Sequence, residues 1–326
     1  MRKTNYTGAV LWLRTHAYDI AAYAGLLVTV VLFLIFSGDK LMYNITSTLQ
    51  SVTVFAVIAL GAVFVYSMGY MDVSVGQQVG VYAILMILIT NRIGHVAGIF
   101  VAFAVVLVIA MFCGAFNGAV AVFLGLPSIV TSLFLMFIFG GAQLLLMERV
   151  GSSAINLNFS IKPTDRMTYT IIVVAALVVI TLLTSYFFYY TKLGKYARAI
   201  GANEMASTQA GVNLVKWKIA AYMFFGVAIA IGSLILLSKS NSAGKGTGSG
   251  YAMDIMVCLI LGGMPLSGGM TSKVRSALIG TFTYTLLAND LMVMGVDLKM
   301  INFVKAIVFL TIVFVTCRKR YGTLPR

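Results

Sequence analysis

The amino-acid sequence predicts an all-α polytopic membrane protein of about ten transmembrane helices, N-in and C-in, some broken or re-entrant, with one short cytoplasmic helix. Three observations predict it. Of the 326 residues, 60% are hydrophobic and only 10% charged, with a mean hydropathy of +0.99, against about 25% charged in a soluble domain. The apolar residues fall into runs long enough to cross a bilayer. The cations collect at the ends of those runs. A soluble fold of this composition would lack the polar surface to cover its core, so residues 1–326 are expected to form one transmembrane domain.

A span needs roughly 20 mostly apolar residues. Such runs lie near residues 19–36, 45–66, 76–91, 95–124, 128–147, 168–190, 214–238, 251–263, 274–294 and 300–317. The first follows a polar, basic stretch and has no small-residue cleavage site after it, so it is expected to be retained as a span. The third and eighth are short, and each abuts a glycine-rich polar stretch. They are the candidates for broken or re-entrant helices, since irregular backbone is tolerated at membrane depth only where protein buries it or it lines a water-filled cavity. The longest connections, 148–167 and 191–213, are too short to be domains.

Orientation follows from the cations, because Lys and Arg are in excess on cytoplasmic loops. With the N-terminus inside, the inner side holds Arg2, Lys3, Arg14, Lys192, Lys195, Arg198, Lys216, Lys218, Lys273, Arg275, Arg318, Lys319, Arg320 and Arg326, fourteen in all. The outer side holds eight, Lys40, Arg92, Arg149, Lys162, Arg166, Lys239, Lys245 and Lys299, while Lys305 falls inside the last run. The net charge of +14 is therefore a matter of topology. It forms no basic stripe with interleaved aromatics, which argues against a nucleic-acid partner.

The sequence also argues against chemistry of its own. Cys113, Cys258 and Cys317 form no spaced pair, so neither a disulfide nor a metal site is expected. His16 and His95 sit near run ends without a catalytic partner, so no catalytic residue is expected. Residues 244–250, GKGTGSG, lack the G-x-x-x-x-G-K-[ST] order of a phosphate-binding loop.

The segment 195–213, KYARAIGANEMASTQAGVN, preceded by Gly194, is a polar insert between two long apolar runs. Asn203 suits a helix N-cap, because its side-chain oxygen can accept from an orphan backbone N–H. Glu204 follows in the first turn, where the helix dipole favours negative charge. Ala206, Ser207 and the residues up to Ala210 can continue the helix, and Gly211 stands where a C′ glycine would end it. A helix of about two turns is marginal alone in water, so it needs a docking surface.

This segment resembles the cytoplasmic loop of the ribose-type sugar ABC permeases, whose pattern is close to G-x-x-x-x-A-I-G-x-N-x-x-A-A-x-x-x-G-I-N. Gly194, Ala199, Ile200, Gly201, Asn203, Ala206, Gly211 and Asn213 match, with Ser207 for the second alanine and Val212 for isoleucine. The resemblance covers roughly residues 45–316. Residues 69–76, GYMDVSVG, are similar to G-G-I-D-L-S-V-G and keep Gly69, Asp72, Ser74, Val75 and Gly76, with Tyr70 for a glycine. Residues 116–133 keep Asn117, Gly118, Pro127 and Thr131 of a second block. Residues 248–269 keep Gly248, Gly250, Tyr251, Asp254 and Ile255 of a third, but place Ala252 where relatives have glutamate, and Asn289-Asp290 stands for an Asn-Gly pair. A weak internal repeat relates Gly69-x-Met71-x-x-Ser74-x-Gly76 to Gly262-x-Met264-x-x-Ser267-x-Gly269.

The resemblance implies the permease subunit of a binding-protein-dependent ABC importer for a monosaccharide, in the bacterial cytoplasmic membrane. Gly201, Asn203, Glu204, Ala206, Ser207 and Gly211 would meet one of two separate ATPase subunits. A second permease copy or paralogue, in a homodimer, and an extracytoplasmic binding protein complete the set, with no cofactor in this chain. Asp72, Ser74, Gly76, Asn117, Asp254 and Asn289 are the candidates for the translocation path or gate. Each has a plainer alternative: Asp72 as a helix-capping residue at the interface, with Ser74 helping to cap a helix from Gly76, and Asn117 as helix–helix glue beside Gly118. Asp254 is expected to pair with Lys239 or Lys245, and Tyr66, Tyr82 and Phe116 are aromatics able to stack on a sugar. Nucleosides or another small polar metabolite are alternative cargoes. An ion-driven secondary transporter is the rival class, and needs paired intramembrane carboxylates among Asp72, Asp254 and Asp290.

Overall fold

The computed structural model describes residues 17–317. The terminal cations of the orientation count, His16 among their neighbours, lie outside the described residues. The first six apolar runs form α1 (Ala17–Ser37), α2 (Leu41–Ser67), α3 (Val75–Ile93), α4 (Ala97–Phe123), α5 (Ser128–Val150) and α6 (Arg166–Tyr189). The polar insert forms α7 (Lys192–Ala202) and α8 (Glu204–Gln209). The remaining runs form α9 (Leu214–Ser240), α10 (Tyr251–Leu261), α11 (Val274–Val293) and α12 (Leu298–Cys317). Among the described residues, six helices are long and apolar enough to cross a membrane by length and composition, namely α1, α2, α4, α5, α6 and α9. The chain is an all-α polytopic membrane protein.

Helix α2 is the axis of the bundle. Of its most apolar window 83% is buried, against 22% for α6 and 28% for α4 and α5. The peripheral helices therefore keep one apolar face outward, with Phe100, Phe112, Phe134 and Phe137 exposed. That is the face a helix presents to lipid, where association must come from close packing rather than from hydrophobic burial. The α4–α9 contact shows how. A methyl group on Gly226 would come within 2.2 Å of the Ala110 carbonyl oxygen, and one on Gly114 within 2.3 Å of the Tyr222 carbonyl oxygen. Only glycine lets these two backbones touch.

Two connections that the sequence left as loops pair with each other. Strands β1 (Ala154–Asn156) and β2 (Ser242–Gly244) run antiparallel, with Ala154 opposite Gly244. Gln143 of α5 donates its amide to the Gly244 and Thr247 carbonyls at 2.8 and 3.1 Å, satisfying irregular backbone inside the bundle.

Beyond β2 the glycine-rich stretch lies backbone to backbone along the first two turns of α3. A methyl on Gly76 would come within 2.3 Å of the Gly248 carbonyl oxygen, and one on Gly80 within 2.5 Å of that of Thr247. The same Gly76 methyl would stand 3.6 Å from the Tyr251 nitrogen. The N-termini of α3 and α10, the two short runs of the sequence, thus meet. Their 19 and 11 residues are short because each chain segment enters as irregular backbone before it becomes helix.

Candidate functional site

The polar insert is a helix pair seated on the bundle. Ala197 and Ile200 of α7 are buried, and a methyl on Gly201, the penultimate residue of α7, would come within 1.9 Å of the Ser67 carbonyl oxygen and 2.8 Å of the Gly269 nitrogen. Asn203 then turns the chain and caps α8, its Oδ1 accepting from the Ala206 N–H at 3.0 Å. Ser207 is buried and donates its hydroxyl to the Asn203 carbonyl at 2.9 Å. Ala206 and Gly211 are exposed. Gly211 adopts φ +79° and has open space where a side chain would begin, so its glycine answers to backbone conformation alone. Glu204 forms an ion pair with Lys218 of α9, and the Tyr70 hydroxyl approaches the same carboxylate at 3.5 Å. The sequence foresaw α8 and its cap, whereas α7, Tyr70 and Lys218 join the segment only in three dimensions.

The two halves of the internal repeat meet where Gly201 sits. Gly269 donates its N–H to the Ser67 carbonyl at 2.7 Å, and a methyl on Gly69 would touch the Ser267 carbonyl oxygen at 3.0 Å. One turn ends α2, the other precedes α11, and α7 closes over both.

From Gly69 the chain passes through a buried polar junction to α3. The Asp72 carboxylate accepts from the Ser74 N–H at 2.8 Å, the Ser74 hydroxyl at 2.5 Å and the Asn117 amide at 2.8 Å. Asp72, Ser74 and Asn117 are each at most 2% exposed. Ser128 and Ser132 of α5 accept from the Met71 and Val73 N–H groups at 3.1 and 3.2 Å. The expectation that Ser74 caps α3 is corrected here. Ser74 does occupy the N-cap position, but its hydroxyl is committed to Asp72 and to the Gln78 amide and caps no N–H. Asn117 is more than helix glue, since it holds a carboxylate of another segment. Among the described ion pairs none involves Asp72.

Asn289 lies toward the opposite end, where α2 begins and α11 ends, and Asp254 stands in the first turn of α10, level with Phe55 at the middle of α2. The expected pairing of Asp254 with Lys239 or Lys245 is also corrected. Lys239 donates to the Ser51 hydroxyl at 2.6 Å, and among the described ion pairs none joins Asp254 to either lysine. Asp254 instead accepts from the Tyr284 hydroxyl. Lys305 of α12 places its ammonium 4.3 Å from the centre of the Tyr284 ring. Phe55 packs on both Tyr251 and Tyr284, at ring separations of 4.8 and 6.1 Å. Asn289 donates its amide to Thr48 at 2.7 Å. Both line a cavity of about 180 Å³ together with Asn44, Ser47, Met292 and Val293. The sequence signal that could have found Lys305 was a cation inside an apolar run. Tyr284 carried none.

Of the aromatics expected to stack on a solute, Tyr66 and Tyr82 are buried in the core, and Phe116 is half-exposed. Tyr82 donates to the Gln78 side chain at 3.1 Å.

A multi-pass bundle with interrupted helices, small residues at its helix contacts and a polar helix pair at one end is the architecture of a membrane transport subunit. Comparison with known families makes the class specific. The sequence profile of the family described as the branched-chain amino acid transport system / permease component matches residues 44–315. The chain belongs to that family, and is a permease component rather than an enzyme. It is 27% identical over 284 residues to the ribose import permease protein RbsC of Escherichia coli K12, covering 85% of this chain and 86% of the relative. It is 28% identical over 281 residues to the autoinducer 2 import system permease protein LsrC of Photorhabdus laumondii, covering 86% and 83%. The ribose import permease protein RbsC of Haemophilus influenzae is 25% identical over 274 residues, covering 83% and 84%. No solved structure matches the chain.

Proposed function

We propose that this chain is the membrane-spanning subunit of a binding-protein-dependent ABC importer that carries a monosaccharide, ribose or a close relative, inward. In this reading residues 1–326 are one permease domain with ten spans, N-in and C-in, in a bacterial cytoplasmic membrane. Two ATPase subunits supply the energy, a second permease copy completes the path, and an extracytoplasmic binding protein delivers the solute. The names of the relatives RbsC and LsrC support the cargo class.

The observation that carries the proposal is the seating of α7 and α8. A six-residue helix whose exposed face includes Met205, 74% exposed, is capped by Asn203 and fixed from below by Gly201 and Ser207. It is a rigid projection whose outer face meets no partner among the described residues. Gly201, Asn203, Glu204, Ala206, Ser207 and Gly211 are the coupling residues. Closure of the ATPase subunits moves the projection, and α7 passes the motion to the turns at Ser67 and Gly269. Asp72, Ser74, Gly76 and Asn117 hold the interrupted start of α3, Asp254 stands at the adjoining start of α10, and Asn289 lies farther along the path. This chain supplies positioning and motion. It makes and breaks no bond in the solute, and needs no cofactor.

Co-purification with ATPase subunits encoded beside it, with ATP hydrolysis assayed for Glu204→Arg and Gly211→Leu, tests the proposal. A complex that both changes break supports it. Absence of any associating ATPase would make ion-driven transport the better account.

A further inference from the structure

The cavity of about 180 Å³ near the start of α2 is built from two facing helix stripes. Asn44, Ser47 and Thr48 stand at i, i+3 and i+4 on α2, and Asn289, Met292 and Val293 repeat that spacing on α11. Residues so spaced share one helix face. The Asn289 amide donates to the Thr48 hydroxyl at 2.7 Å and ties the two helices together. Asn44 and Ser47 lie from there toward the start of α2, and Met292 and Val293 toward the end of α11. The cavity therefore extends from that bond toward the end of the bundle away from Ser67 and α7.

The lining has hydrogen-bonding capacity to spare. The Asn44 amide and the Ser47 hydroxyl engage no other described residue. An amide offers two donors and an acceptor oxygen, and a hydroxyl one donor and two lone pairs. No charged side chain lines the cavity, so a zwitterion such as leucine would bring two charges to a place without a counter-charge. Met292 and Val293 supply an apolar wall for C–H bonds. Free donors and acceptors on one wall, an apolar surface on the other and no charge suit a small carbon frame bearing several hydroxyls. A space of this size holds several waters or one small solute in their place. Hydroxyls reproduce the waters' hydrogen bonds, so the exchange sacrifices none.

We propose that this cavity is the permease's own subsite for a neutral, hydroxyl-rich solute, held between α2 and α11 by hydrogen bonds to Asn44, Ser47 and Asn289. The proposal rests on the importer reading and adds where in this chain the cargo is held.

Two measurements test it. In detergent-solubilised permease carrying Ser47→Cys, modification by a small maleimide is followed with and without ribose or leucine, against the wild-type background. Met42→Cys, on the same end of α2 but outside the cavity lining and 63% exposed in the native side chain, is the control. Ribose is expected to slow modification of Ser47→Cys at least threefold and to leave Met42→Cys unchanged, and leucine to slow neither. In proteoliposomes holding permease, ATPase subunits and binding protein, ribose moved per ATP hydrolysed is measured for Asn44→Leu, which keeps size and removes the amide, and for Ser47→Phe, which fills the space. Both are expected to lower that ratio at least fivefold while ATP hydrolysis stays within twofold, which a misfolded permease would not sustain. A wild-type ratio in both variants would overturn the subsite, as would equal modification of Ser47→Cys with and without ribose. Protection by leucine but not by ribose would overturn the hydroxyl assignment. The labelling needs no ATPase, so a permease that binds none yet is protected by ribose would overturn the importer reading and leave the subsite standing.

Discussion

Asn117 of α4 donates its side-chain amide to the Asp72 carboxylate across 2.8 Å, while its own carbonyl oxygen, buried beside it, has no partner among the described residues. The pair ties a helix to the irregular segment that leads into α3, and its asymmetry makes a sharp prediction. Asp72→Leu strands the Ser74 N–H, the Ser74 hydroxyl and the Asn117 amide, and is expected to cost about 3–5 kcal/mol, as breaking a buried charged network does. In Asp72→Asn the new amide can still accept from Ser74 and can donate to the free Asn117 oxygen, so stability is expected to change by about 1 kcal/mol or less. Thermal unfolding of the two variants in detergent checks the order; equal losses would show that charge, rather than hydrogen bonding, holds the junction.

Gly201 and Gly211 bracket the same short helix for different reasons. An alanine at 201 would press on the Ser67 carbonyl at 1.9 Å, and overpacking against backbone is expected to cost about 1–3 kcal/mol. An alanine at 211 meets open space and strains only a left-handed φ, expected to cost about 1 kcal/mol. Coupled uptake is therefore expected to fail for Gly201→Ala and to survive for Gly211→Ala. Protease cleavage of the 203–211 segment in membrane vesicles reports the same contrast, rising only when α7 is unseated.

The Glu204–Lys218 pair joins a half-exposed carboxylate to a buried ammonium, with side-chain exposures of 46% and 9%. Solvent at the Glu204 end screens the attraction, so a double-mutant cycle with Glu204→Gln and Lys218→Met is expected to give a coupling of about 1 kcal/mol. Weaker coupling in 1 M salt than in 0.1 M would identify it as electrostatic. A coupling that ignores salt would assign the contact to packing on Tyr70.

Asp165, before α6, accepts from the Thr168 N–H and hydroxyl and from the Met167 N–H. The Thr168 hydroxyl bond, then the Thr168 N–H bond, hold its carboxyl below the usual range. A lowered folded pKa means a contribution that is present above the unfolded pKa of about 3.9 and lost as pH falls through the folded value. Hydrogen exchange at Thr168, compared with mid-helix Leu177, is expected to lose its relative protection below about pH 4. In Asp165→Asn, which caps without titrating, that loss should not appear.

The sequence revealed what apolar runs and local caps control. Every run became a helix, because backbone in lipid must bond to itself, and Asn203 and Gly211 mark α8 through bonds within a few residues. Contacts between distant segments left no such trace. Nothing near Gly76 points to Gly248, and β1 gives no sign of β2, since these meet through tertiary packing. Asp254 was legible as a carboxylate at the end of an apolar run, but its partner was misplaced: Lys239 and Lys245 are near in sequence, whereas Tyr284 and Lys305 arrive from two later helices. Ser74 was read as a cap because position suggests it, and the nearby carboxylate took its hydroxyl first.

The Ser67 carbonyl carries a consequence beyond stability. It accepts from Gly269 and lies directly under Gly201, so the end of α7 rests on the turn after α2 and the turn before α11 at a single point. In the importer reading, a displacement delivered there would reach both turns through one shared contact, like a lever on a single fulcrum.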